Sequence, residues 1–190
     1  EDITSTNNPE KLIAIAEYFD KQNKKTEAFK AYEKAAKKGN AKAQYFLSQY
    51  DNSNFYLSYY CDNEKGYINW ATYWVKYRNN AIYWGKKLFN QNTPYKWIVA
   101  ENIAEHYKEL AKSCKDYGNN YYYYYNKKEN KWYEKIIKGT KGDTNNEYHY
   151  CNANAFLGYN YEQGIGLKQD YKKAIDLYIE ASNNTPYICV

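Results

Sequence analysis

The sequence predicts an all-α fold, a solenoid of about five antiparallel helix pairs spanning residues 9–190 behind a flexible segment, residues 1–8. Three observations carry that prediction. Apolar residues recur at three-and-four spacing in one segment after another, as on a one-sided helix. Glycine and asparagine interrupt those segments where helices would stop and start. The chain also repeats itself: Asn145-Asn146-Glu147-Tyr148-His149-Tyr150-Cys151 aligns with Asn183-Asn184-Thr185-Pro186-Tyr187-Ile188-Cys189 at an offset of 38. Asn-Thr-Pro-Tyr stands at 92–95 and again at 184–187. A period in the high thirties belongs to helical arrays, in which each pair buries its apolar side by stacking on its neighbours.

Taken in order, Asn8 is an N-cap and Pro9 a first helical residue for a helix over 9–20, with Leu12, Ile13 and Ala16 on one side. After a polar break, 26–38 forms its partner through Ala28, Tyr32, Ala35 and Ala36, and Gly39 stops it while Asn40 caps the next. The second pair is 41–51 with a weaker 54–63. The third is 67–78 with 80–90, divided at Asn79. The fourth is 94–116 with 120–138, parted by Gly118, and the fifth is 147–162 with 170–182. The first helices of the pairs are expected to line an inner surface. The run Tyr121–Tyr125 has high intrinsic β-propensity, but the helical period of the residues after it assigns it to a helix.

The last pair is the most specific. Leu157-Gly158, Tyr161, Gly164-Ile165-Gly166, Asp170, Lys173-Ala174, Tyr178 and Ala181 occur in an order that resembles the Sel1-like repeat, a relative of the tetratricopeptide repeat with a longer, glycine-bearing inner loop. Tyr18, Ala28, Tyr32 and Ala35 match it in the first pair; Ala43 and Phe46-Leu47-Ser48 match it in the second. Physical roles follow without the resemblance. Gly158 lets two helices approach and Leu157 fills the space beside it. Ala174 and Ala181 share a helix side, Gly164 and Gly166 permit positive φ, and Asp170 caps the following helix. Tyr178 falls where the resemblance expects an aromatic.

Composition narrows the function. Aromatics make up 20% of the chain and 27 residues are tyrosine, a load that argues against disorder. No apolar run is long enough for a transmembrane segment. The formal charge is +5, yet Arg78 is the one arginine, so a phosphate-gripping surface and specific nucleic-acid binding are not expected. No His-Glu-x-x-His, no Cys-x-x-Cys and no phosphate loop is present, so neither a metal site nor a cofactor is expected. Glu101, Glu105 and Glu109 share a helix side, but Lys108 and Lys112 beside them suit ordinary ion pairing. The polar start and the even set of four cysteines suit an exported protein, secreted or periplasmic after leader removal. Cys151 and Cys189 occupy matching places 38 residues apart, which favours their pairing; Cys61 and Cys114 would then remain.

Five consecutive tyrosines on a helix cannot all face one core, so some meet solvent or a partner. The expectation is therefore a non-catalytic protein-binding adaptor or inhibitor, with Tyr73, Trp74, Tyr77, Trp97, Tyr122 and Tyr125 meeting the partner. The resemblance implies the same, because Sel1-like proteins generally serve as adaptors or scaffolds. Two alternatives stand beside it: an immunity-type protein occluding a secreted toxin, and a module binding oligosaccharide or peptidoglycan by aromatic stacking.

Overall fold

The computed structural model describes residues 5–49, 71–115 and 119–183, leaving aside the side chains of 71–77 and Asn119. Those residues form eight α-helices and no strand: α1 (Pro9–Lys21), α2 (Lys25–Lys37), α3 (Ala41–Gln49), α4 (Ala71–Phe89), α5 (Lys96–Cys114), α6 (Asn119–Thr140), α7 (Glu147–Gln163) and α8 (Tyr171–Asn183). Local chemistry sets several boundaries. The Asn8 side chain accepts from the backbone N–H of Glu10 at 2.9 Å and Lys11 at 3.0 Å, with Pro9 as the first helical residue. Asn40 accepts from the Ala43 N–H at 2.9 Å, and Asp170 from that of Lys173 at 3.0 Å, so α3 and α8 begin on side-chain caps.

Residues 67–78 and 80–90 are not two helices. From Ala71 to Phe89 the chain is one helix running through Asn79. Arg78, Ala81, Ile82, Trp84 and Leu88 are all buried, and their spacing makes a single stripe that crosses the expected break. Asn79 points to solvent, where an asparagine costs a helix only about 0.5 kcal/mol. The expected helix 54–63 lies outside the described residues.

The run Tyr121–Tyr125 is helical. Tyr122 and Tyr125 are half-buried, and Asn126, Glu129, Tyr133 and Ile136 continue the same side of α6 inward. Burial of that side outweighs the β-propensity of five tyrosines.

Every helix packs on the next, and α5 also touches both α3 and α7. Two buried clusters result. Leu12, Ile13, Ala16, Ala28, Tyr32, Ala35 and Leu47 from α1–α3 surround Trp84 of α4. Ala100, Ile103, Tyr107, Trp132, Tyr133, Ile136 and Leu157 gather with Ile82, also from α4. α4 thus supplies a side chain to both.

Candidate partner-binding face

The odd-numbered helices meet through their side chains. Lys42 of α3 pairs with Glu17 of α1 at 2.7 Å, and Tyr45 of α3 stacks on Tyr95, just before α5, with centroids 4.5 Å apart. His149 Nδ1 of α7 lies 3.0 Å from Glu101 Oε2 of α5. Lys108 of α5 sits 5.2 Å over the ring of Phe156 on α7, and that ring stacks on Tyr133. Phe156, Tyr148 and Tyr159 of α7 are exposed large side chains on this face. Glu105 and Glu109 pair with Lys108 and Lys112 at 3.1 and 2.5 Å, as the i,i+3 spacing suggests.

Where α3, α4 and α5 meet, Gln49, Arg78, Asn102, Glu105, His106 and Glu109 line a cleft of about 330 Å³. A guanidinium nitrogen of Arg78 lies 3.0 Å from His106 Nδ1, and His106 Nε2 lies 2.8 Å from the Ser48 carbonyl oxygen. Guanidinium can only donate and carbonyl oxygen can only accept. The imidazole is therefore the neutral tautomer with its proton on Nε2, and both nitrogens are engaged. It ties Ser48, near the last described residue of α3, to α5. The ring is thereby held between α4 and α3. The sequence separations, 28 and 58 residues, hid this linkage; the solitary arginine was its one visible sign.

A second polar group lies under the glycine loop between α7 and α8. Asn130 donates to the Ile165 carbonyl at 2.8 Å, and Asn160 donates to Asn130 Oδ1 at 2.7 Å and more distantly to Glu129 Oε1 at 3.4 Å. Glu129 is 3% exposed. Burial pushes its carboxyl up to about 7; Asn160, Lys108 of α5 and the Tyr133 hydroxyl oppose the shift without cancelling it. Burial and the adjacent carboxyl in turn raise the Tyr133 hydroxyl. Nothing in the composition marked these residues, because Asn and Glu read as surface until the helices are assembled.

The residues singled out from sequence fall into three groups. The side chains of Tyr73, Trp74 and Tyr77 lie outside the described part. Trp97 and Tyr125 pack against the second buried cluster; the Trp97 indole lies across Gly139 of α6 so closely that no Cβ would fit there. Tyr122 is half-buried, whereas Tyr121, Tyr123 and Tyr124 are the exposed members of the run. The structural set gathers at the α7–α8 pair. Leu157, Ala174 and Ala181 are buried, and a Cβ on Gly158 would meet the Tyr178 ring at 2.9 Å. Tyr178 donates to Glu162 at 2.7 Å. Gly164 ends α7 at φ +70°, and Gly166, at φ +67°, lies against the α6 backbone, a Cβ there falling 2.5 Å from the Asn126 carbonyl carbon. Asp170 caps α8 as described.

Cys151 is fully buried, with its Sγ 3.3 Å from the Ala181 carbonyl oxygen, and Cys114 is buried on α5. Cys61 and Cys189 lie outside the described residues, and so does the expected pairing. Among the described residues no three His, Cys, Asp or Glu side chains converge to hold a metal ion, and no helix is long and apolar enough to cross a membrane. No protein-family model, curated protein or solved structure matches this chain.

Proposed function

We propose that the chain is a non-catalytic helical-repeat solenoid that binds another protein through the face formed by its odd-numbered helices. The observation that carries this reading is the side-chain continuity of that face from Glu17 and Lys42 through Tyr45 and Tyr95 to Glu101, His149 and Phe156. Exposed aromatics beside paired charges suit a protein interface, where rings bury area and flanking charges set register. His106 supports the absence of catalysis, since its two nitrogens already hold Arg78 and Ser48. Occluding a secreted toxin is one form such binding takes. Export to an oxidising compartment and a Cys151–Cys189 bridge belong to the same proposal.

Affinity capture on the immobilised chain, read by mass spectrometry, tests it. The expected result is one stoichiometric protein partner, retained by the unaltered chain and lost from the double substitution Tyr148→Ala and Phe156→Ala. A glycan-array signal with no protein partner would overturn it in favour of the oligosaccharide-binding alternative.

A further inference from the structure

α8 uses only one of its sides. Ala174 and Ala181 are buried, and the extensive contact of this helix is with α7. The other side carries Tyr171, Ile175 and Ile179, four residues apart, which leave 62%, 56% and 49% of their surface in water. Single exposed apolar residues are ordinary, whereas a row of three large ones along a helix marks a contact surface. This row lies apart from the face assigned to the protein partner.

The spacing identifies what fits it. Tyr171 stands four residues before Ile175 and Ile179 four after. We propose that two copies of the chain pack α8 against α8, antiparallel about a two-fold axis at Ile175. Ile175 then meets its own copy, and Tyr171 meets the second copy's Ile179. Like flanks face each other in such a pairing. The flank away from α7 carries Lys172 and Asp176, and neither forms an ion pair among the described residues. Rotation brings Lys172 within two residues, about 3 Å along the axis, of the second copy's Asp176, and the reverse contact forms as well. A parallel pairing would set Lys172 against the Tyr178 flank and lose both contacts. The seam holds few large side chains per copy, well short of the roughly 800 Å² per partner that stable complexes bury. Association is accordingly weak: monomer at about 1 µM and dimer approached at several hundred µM.

Sedimentation velocity of the full chain across that range tests the proposal. The parent should gain dimer with concentration, and Ile175→Asp should remain monomeric throughout. Lys172→Asp should weaken association about tenfold, since two like-charged contacts replace two attractive ones. Adding Asp176→Lys to it should restore the parent behaviour, a rescue that only self-pairing of this flank produces. A parent that stays monomeric at every concentration overturns the proposal, as does a double substitution no better than the single one. If Ile175→Asp instead lowers the melting temperature of a chain that never dimerises, the row is covered from within the chain and the proposal fails.

Discussion

At Gly166 two demands coincide. The residue needs positive φ, and its missing Cβ leaves room for the α6 backbone. Gly166→Ala should therefore cost about 2–4 kcal/mol, combining left-handed strain with overlap against atoms that cannot rotate away. Gly158→Ala meets mainly a tyrosine ring, and recovers about 1 kcal/mol of helix propensity. Chemical denaturation should rank Gly166→Ala well below Gly158→Ala in stability; equal losses would show that the loop does not lock onto α6. Cys151 offers a second test at this scale. It faces the end of α8, eight residues before Cys189, well within the reach of an extended chain. Non-reducing peptide mapping should recover a Cys151–Cys189 peptide, and a Cys114–Cys151 or Cys61–Cys189 peptide would refute the register on which that pairing rests.

Among the elements, α4 separates two accounts of the same sequence. A break at Asn79 would accept proline there at little cost. One continuous helix would lose a hydrogen bond and clash with the preceding turn, about 3 kcal/mol or more. Asn79→Pro should lower the melting temperature by many degrees, and a variant that melts like the parent would restore the two-helix division. Caps and turn glycines were legible in the sequence because they act within three or four residues: Asn8, Asn40, Gly164 and Asp170 all do so. Asn79 misled because an asparagine signals a break only where no apolar stripe crosses it, and the stripe from Arg78 to Leu88 becomes decisive once α5 is in place. The tyrosine run shows the same division. That some of its rings face outward follows from helical geometry alone. Which ones do so depends on where α6 finds its neighbours, and the exposed members are Tyr121, Tyr123 and Tyr124, not Tyr122 and Tyr125.

For the molecule as a whole, Glu129 makes stability depend on pH. Its carboxyl is raised from the ordinary 4.5 to about 7, so the folded chain keeps a proton that the unfolded chain has already lost. Its contribution is full below about 4.5 and is lost as pH rises through about 7, on the order of 3 kcal/mol in all. The groups that face it, Lys108 and Glu105 from α5, Asn160 from α7 and Tyr133 from α6, leave that sign unchanged. Glu129→Gln cannot titrate. Thermal melts from pH 4 to 8 should show the parent losing stability across that window and the substituted chain losing much less. Parallel profiles would mean that Glu129 is hydrated and ordinary.

Because Trp84 and Ile82 sit two residues apart on α4 yet belong to different buried clusters, the two halves of the chain share a hinge pin. Neither cluster can open at α4 without exposing its neighbour, so this helix couples what would otherwise be separate melting units. Amide protons between Ala81 and Leu88 should exchange with solvent only when the entire chain unfolds, while those of α8 exchange through a local opening. Exchange from α4 as fast as from α8 would mean that the halves come apart independently, and that a ligand seated on α7 has no mechanical route to α1.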